Sequence, residues 1–430
     1  MIELYSATTN AGKLREFGAE PLPGLVSIEP CQETGQTFED NAIQKAIYYS
    51  GFTTGYVFAD DSGLAVDALG GAPGFLSARY AGLRATDEAN NHLVLQRMAG
   101  ISDRRARFVS VIALARGGQL VKTFRGEVQG ELLHAPQGTE GFGYDPLFYY
   151  PAFGCSFGEV PLAQKQTVSH RARALAAMRE YLLQVLQREI VECRQCTRLV
   201  AHCTQIAQVK RRAFRDWDYW GKPVPSFGDP NARLAIIGLA PGAHGANRTG
   251  RVFTGDSSGD YLYRALHAAG FANQPGSRSL DDGLVLTGAY IAASVRCAPP
   301  GNKPSPDEVA RCRPYLEREL QLLRNLKVVV ALGKIAFDNY LNILKDRGII
   351  RARAPFVFGH NVDHAMGDRQ PILIGSYHPS QQNTSTGKLT DRMLLDVFEK
   401  ASTLCEEEGW DGKAEHPRQA PSLDTSQTRG

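Results

Sequence analysis

Four cysteines in the second half of this chain fall as two pairs, Cys193/Cys196 and Cys297/Cys312, and between the pairs lies a glycine-rich run, GLAPGAHGANRTGRVFTGD, Gly238 to Asp256. A CxxC close to a helix end puts two thiolates on one face, three residues apart, whereas the distant CX14C pair needs a fold to bring it alongside. Four converging thiolates hold zinc or an iron–sulfur cluster, and spacing alone does not choose between them. The competing account is that all four are small buried hydrophobes, the ordinary condition of a free cysteine.

A chain of 430 residues with ordinary apolar content is long enough for two or three domains, each with its own core. The start, MIELYSATTN, lacks a basic segment followed by an apolar run, and no uninterrupted apolar stretch approaches the ~18 residues of a membrane span. The expectation is a cytoplasmic protein with no membrane partner, its thiols reduced or metal-bound. Acidic residues outnumber basic ones in residues 1–187, and the balance reverses in 188–404. That reversal points to a polyanion partner for the later block, against the alternative of solvated surface charge.

Both halves alternate apolar strand-like runs with loops and helical patterns, so two α/β domains are expected, 1–187 and 188–404. A continuous helical pattern from Arg171 through Leu182 and Leu186 to Ile190 runs into Cys193 with no flexible linker, which predicts a helical junction with limited freedom. Residues 405–430 are too polar and too rich in Pro and Gly to bury anything and are expected to be disordered.

In the first domain a strand over Ile2–Ser6 runs into TTNAGK, Thr8 to Lys13, a small-residue turn and a lysine of the kind that offers N–H groups and a cation to phosphate. A second strand, Tyr56 to Ala59, is expected to end in Asp60-Asp61-Ser62-Gly63, with adjacent carboxylates at the strand end, where open α/β sheets bind ligands. Paired acids there suit Mg2+ and a triphosphate. With ETGQTFEDNA (Glu33 to Ala42), GAPGFLSARYAG (Gly71 to Gly82), GFGYDPLF (Gly141 to Phe148) and SHRARAL (Ser169 to Leu175), residues 1 to about 187 resemble the inosine triphosphate pyrophosphatase family. The resemblance implies a mixed-sheet α/β domain that hydrolyses non-standard purine nucleoside triphosphates such as ITP, dITP and XTP to monophosphate and pyrophosphate, and it suggests a homodimer through this domain. It implies that Thr8, Asn10 and Lys13 bind phosphates and that Glu33 and Asp61 hold Mg2+, with Asp61 accepting the proton of the attacking water. Phe142, Gly143, Tyr144 and Asp145, with His170 and Arg171, would surround the base; Ser62 and Lys165 would complete the substrate contacts. A 6-oxo group, where adenine carries an amine, favours a donor such as Arg171.

In the second domain four near-continuous apolar runs, Ala232–Gly238, Tyr290–Val295, Val328–Leu332 and Pro371–Ser376, are separated by helical patterns, which argues a parallel sheet covered on both faces. A helix is announced at Pro306 by Ser305 and Glu308, and it carries Cys312 two turns in. GLAPGAHG, VRCAPPGNKP and SYHPSQQNTSTGKLT, together with the cysteine pairs, resemble the iron–sulfur uracil-DNA glycosylases, type B or family 5. The resemblance implies an α/β/α domain in which Cys193, Cys196, Cys297 and Cys312 bind a structural 4Fe–4S cluster; Cys203 has no place in that pattern.

A glycosylase extrudes the nucleotide and stabilises charge as the glycosidic bond breaks. Phe253 is the stacking candidate, His378 the donor to the departing base, and Asn302 stands in register as a further catalytic candidate. Asp256 is the nearest carboxylate to the first loop, where GLAPG supplies none, although it also suits an N-cap. Ala292 stands where uracil-specific relatives carry a base-reading Asn, which predicts relaxed selectivity toward larger deaminated bases. The backbone of Gly242–Arg251 and Ser380–Lys388 would grip phosphates. The expectation is a bifunctional genome-sanitation enzyme, acting on nucleotides before polymerisation and, associated with the nucleoid, on DNA containing deaminated bases afterwards. Its rival is an iron–sulfur DNA-binding module with a catalytically decayed nucleotide-sensing domain.

Overall fold

The computed structural model describes residues 3–367 and 370–406. The chain divides into two compact units between Leu182 and Leu183. Most of the tail expected to be disordered, from residue 407 on, lies outside the described residues; Cys405 and Glu406 still belong to the last helix. Among the described residues no helix is long and apolar enough to cross a membrane.

In the first unit the elements run β1 (Leu4–Ser6), α1 (Ala11–Phe17), α2 (Phe38–Ser50), β2 (Tyr56–Val66), α3 (Asp87–Arg97), β3 (Arg105–Arg116), β4 (Gln119–Leu132), β5 (Phe148–Tyr150), β6 (Cys155–Ser156), α4 (Leu162–Lys165) and the start of α5 (His170–Glu192), whose residues from Leu183 on belong to the second unit. The six strands form one mixed sheet in sequence order, with β1 parallel to β2 and every later pair antiparallel. The expected strand end after Ala59 is corrected here, because β2 continues unbroken to Val66, paired with β3 from Val57 to Val66. What ends is β1, whose last partner is Ser6 against Phe58. Asp60 and Asp61 therefore sit mid-strand, where the β1 side of β2 falls open. α1 likewise begins inside TTNAGK, because the Asn10 side chain accepts the Lys13 N–H and caps the helix at Ala11.

The second unit contains α6 (Thr197–Val209), β7 (Phe227–Gly228), β8 (Leu234–Gly238), α7 (Ala246–Thr249), α8 (Ser257–Ala268), β9 (Ala289–Ala293), α9 (Pro306–Leu322), β10 (Val328–Leu332), α10 (Lys334–Asp346), β11 (Val362–His364), β12 (Ile372–Ser376), α11 (Gln381–Ser385) and α12 (Asp391–Glu406). Its sheet runs β11-β12-β10-β8-β9-β7. The four inner strands are parallel and the two short edge strands antiparallel. Leu234, Ile236, Ile291, Val328, Val330 and Ile374 pack on one face with Leu262 and Leu266 of α8 and Leu394, Val397 and Phe398 of α12. The alternate residues, among them Ala235, Ile237, Val329 and Ala331, are equally buried and point to the other face. Burial on both faces is why these strands read as unbroken apolar runs. α9 starts as its sequence announces: Ser305 and Glu308 close a capping box, an arrangement worth about 1 kcal/mol.

Candidate active sites

In the first unit a cavity of about 650 Å3 is lined by Thr8, Asn10, Lys13, Glu33, Asp61, Ser62, Phe142, Gly143, Tyr144, Asp145 and Arg171 of the expected set. Lys165 and His170 are not among its lining residues. Lys165 is buried and binds Glu16 and Asp145, each at 2.6 Å. His170 is buried with its ring stacked on Phe108, centroids 4.8 Å apart, and both ring nitrogens lack a hydrogen-bond partner. Burial holds its pKa well below the usual range, so the imidazole is neutral.

Alternation along β2 separates the two aspartates. Asp60 shares a face with Ser62, whose hydroxyl donates to it at 2.8 Å, and it pairs with Lys13 at 2.8 Å. Lys13, Arg171 and the Ser110 hydroxyl outweigh burial and hold the Asp60 carboxyl ionised far below the usual range. Asp61 turns toward α2 and accepts a hydrogen bond from Asn41 at 3.2 Å. Burial raises its pKa, assisted by the charges of Asp60 and Glu33 and opposed by Lys45 and Lys13.

Glu16 and Lys45 were missed by sequence reasoning. Lys45 lies 3.3 Å from Glu33 and 3.5 Å from Asp61, so these two carboxylates already face one cation. The available signal was the spacing of Asn41 and Lys45, one turn apart on α2, both reaching Asp61. Glu16 joins Arg171 (2.7 Å) to Lys165. The Arg171 guanidinium covers the Phe142 ring at 4.9 Å and also donates to Ser62 at 2.8 Å.

In the second unit Phe253 adopts φ of +51°, an unusual conformation for an aromatic residue. Its ring lies over Gly238, where a Cβ would come within 2.7 Å of it. The His378 ring stands 5.8 Å from that of Phe253, inclined by 32°. Burial pushes the His378 pKa down to about 4, so it is a neutral donor near pH 7. Asp256 is the N-cap that its sequence position allows, with one carboxylate oxygen left over. One oxygen, Oδ1, caps α8 through the Gly259 N–H at 3.0 Å, and the other, Oδ2, faces the glycine-rich loop. Burial raises its pKa, partly offset by the cap hydrogen bonds.

Asn302 is exposed at φ of +57°, and no described contact joins its side chain to Phe253, Asp256 or His378. The expectation for Ala292 is corrected by register. Gly238 pairs with Ala293, and paired residues project to the same face, so Ala293 lies on the Phe253 side and Ala292 on the other.

Cys193 follows α5, Cys196 caps α6, Cys297 follows β9, and Cys312 lies in α9. All four line one small cavity with Leu199, Val200, Pro223, Val295 and Tyr315, and none is in a disulfide. Cys203, on α6, is buried in one apolar cluster with Cys297, and its thiol donates to the Ala298 carbonyl oxygen at 3.7 Å. Burial pushes the Cys312 thiol up to about 11. Among the described residues no group of three or more His, Cys, Asp or Glu side chains is arranged to hold a single metal ion. The four thiols surround a space and do not converge on a point.

Two α/β units, one with a lysine-and-carboxylate cavity and one with a ring pair beside a glycine-rich loop, make the chain a fusion of two α/β domains, each with its own candidate site. Residues 4–181 match the model of the Ham1 family, and residues 225–402 match that of the uracil DNA glycosylase superfamily. The type-5 uracil-DNA glycosylase of Mycobacterium bovis is 50% identical over 213 residues, 49% of this chain and 78% of the relative. That of Thermus thermophilus is 48% identical over 215 residues, 50% of this chain and 94% of the relative. The dITP/XTP pyrophosphatase of Acidobacterium capsulatum is 46% identical over 195 residues, 41% of this chain and 96% of the relative. The chain belongs to the Ham1 family through its first half and to the type-5 uracil-DNA glycosylases through its second.

Proposed function

We propose that the chain is a bifunctional genome-sanitation enzyme that hydrolyses ITP, dITP and XTP to monophosphate and pyrophosphate and excises uracil, and also hypoxanthine or xanthine, from DNA. The observation that carries this reading is that each unit sets a carboxylate against an open or glycine-lined space: Asp61, buried beside Lys45 on the wall of the first cavity, and half-buried Asp256, whose Oδ2 faces Gly242 and Gly245. Both suit work on a proton or a developing positive charge.

In the first unit Thr8, Asn10 and Lys13 orient the phosphates, Phe142 packs on the base, and Asp61 takes a proton from the attacking water. Glu33 and Asp61 fit Mg2+, since both are oxygen donors already gathered about one cation, the Lys45 ammonium. Bound there, Mg2+ would neutralise charge on the triphosphate oxygens.

In the second unit the extruded base stacks on Phe253. Neutral His378 donates to its carbonyl oxygen as negative charge develops there, while Asp256 guides water or stabilises the oxocarbenium-like sugar. The four cysteines fit a 4Fe–4S cluster: the donors are all thiols, and they line one small cavity together with apolar side chains such as Leu199 and Val295 and the cations Arg296 and Arg311, which suit the negative charge of a thiolate-bound cluster. A tetrahedral zinc with Zn–S bonds of about 2.3 Å would draw the sulfurs onto one point. The cluster's part is structural, tying the end of α5 and the start of α6 to α9.

Substrate profiling of the intact protein tests the whole reading. Pyrophosphate release from ITP, dITP and XTP is expected to exceed that from ATP and GTP, and base release is expected from duplexes carrying uracil or hypoxanthine. Binding of either substrate class without turnover would favour the decayed-module alternative.

A further inference from the structure

The segment that leaves α6, Lys210 to Gly221 (KRRAFRDWDYWG), has no part in the site as described, yet it is fastened to the glycine-rich loop at several points. Arg248 of that loop, itself 3% exposed, is clasped between Phe214 and Trp217, its guanidinium 3.9 Å and 4.1 Å from the two ring centroids. The Tyr219 hydroxyl meets His244 Nδ1 at 3.1 Å, and the backbone N–H groups of Trp220 and Gly221 donate to Arg248 and Asn247. The same Arg248 donates through Nη2 to the carbonyl oxygen of Gly255, the residue before Asp256, at 2.7 Å. Arg248 thus connects the segment to the backbone beside the candidate catalytic carboxylate.

What the segment presents outward is basic. Arg211, Arg212 and Arg215 are exposed, and among the described residues none of the three has an ion-pair partner; Asp216 and Asp218 are the acids of the same stretch. Lys210 turns the chain out of α6 at φ of +54°, a strained conformation for a residue with a side chain, and its ammonium closes the turn on the Arg215 carbonyl at 3.2 Å. Arg248 is a buried cation with no carboxylate in ion-pairing range among the described residues, and its Nη1 has no hydrogen-bond partner. Three unpaired exposed guanidinium groups on a backbone held by aromatic clasps suit a rigid row of anions better than a flexible acidic peptide.

We propose that residues 210–221 form an arm that grips the phosphate backbone of duplex DNA beside the excision site, with Arg211, Arg212 and Arg215 as the phosphate contacts and the Phe214–Arg248–Trp217 clasp as the fixture that sets their position. The location of the arm rests on the glycosylase reading of the second unit, whereas its contact with phosphate does not.

The test compares the full-length protein with the triple variant R211Q/R212Q/R215Q in binding to a labelled duplex without damaged bases, titrated across salt concentrations. Removing one arginine–phosphate pair makes the slope of log K against log salt shallower by about 0.9, so a decrease of about 2–3 is expected for the triple variant. On a uracil-containing duplex at moderate salt KM should rise at least about tenfold with kcat within about twofold, and pyrophosphate release from ITP should be unchanged. The charge-preserving variant R211K/R212K/R215K should restore the slope. An unchanged slope in the glutamine variant overturns the proposal, as does a loss of affinity for structured RNA but not for duplex DNA. If the protein excises no base but the slope still falls, the glycosylase reading fails and the phosphate arm stands.

Discussion

A Cβ on Gly245 would lie 1.9 Å from Oδ2 of Asp256, so the glycine-rich loop leaves room at this point for one particular carboxylate. Gly245→Ala should push the Asp256 side chain out of place and slow single-turnover uracil excision by about 10²-fold, the cost of a displacement near 1 Å. Asp256→Asn separates the residue's two roles, because asparagine caps a helix as well as aspartate but carries no charge. Melting of Asp256→Asn should match that of the parent while excision falls by about 10²-fold or more. Full activity in both variants would reduce Asp256 to a cap.

The small residue facing Phe253 is Ala293, so base selectivity should respond there. Ala293→Asn should shift the ratio of uracil to hypoxanthine excision toward uracil by about tenfold, the value of one well-placed hydrogen bond of roughly 1–1.5 kcal/mol. Ala292→Asn, on the other face of β9, should leave that ratio alone and cost stability. A ratio that moves with residue 292 and not with 293 would refute the register argument. Residue 292 suggests itself in the sequence by resemblance in position to the asparagine of uracil-specific relatives, and a match one residue out of step along a strand shows the opposite face.

That inversion marks where the sequence stops being legible. The four inner strands of the second unit are plain because double burial leaves Val328–Leu332 and its neighbours without polar interruptions. β7 and β11, two and three residues long, carry no periodicity to find. β2 reads as cut short at Ala59 because Asp-Asp-Ser-Gly resembles a turn; only its long pairing with β3 shows that the carboxylates are held inside a strand. Glu16 escapes notice because its partners, Lys165 and Arg171, lie far along the chain, and no local pattern announces a contact of that range.

Asp61 should govern the pH dependence of pyrophosphate release. It must be ionised to take a proton or to hold Mg2+, and in the metal-free protein burial raises its pKa, so protons compete with the metal and activity at limiting Mg2+ should fall as pH is lowered at a higher pH than an ordinary aspartate would give. The stability sign is opposite. A folded state that holds this proton more tightly than the unfolded chain loses stability as pH rises through the Asp61 titration, so above it the ionised group opposes folding. Asp61→Asn should therefore abolish pyrophosphate release, by at least about 10²-fold, while raising the melting temperature of metal-free protein at neutral pH and leaving uracil excision intact. Loss of both activities in a folded variant would contradict the assignment of separate sites to the two units.

For His378 the expected profile is flat. With its pKa pushed down to about 4 by burial, the imidazole does not change charge near pH 6.5, so uracil excision should show no inflection there. An inflection near 6.5 that disappears in His378→Gln would show that the side chain titrates in the working range and donates as a cation.

The cysteine cavity makes a prediction that distinguishes a cluster from both zinc and a plain thiol core. Cys297 lines the cavity together with Cys193, Cys196 and Cys312, whereas Cys203 packs in the same apolar cluster as Cys297 without lining it. If the four bind a 4Fe–4S cluster, aerobic protein is brown and Cys297→Ser bleaches it, because one ligand of four is removed. The same variant should lower the melting temperature of the second unit, since the cluster ties Cys193 and Cys196, flanking the start of α6, to α9. Pyrophosphate release from the first unit should survive. Cys203→Ser should keep its colour and lose only the small contribution of a buried thiol. A colourless parent protein that carries one zinc per chain would mean that the thiols close onto a single ion, and unchanged colour and melting in Cys297→Ser would mean that Cys297 is packing and not a ligand.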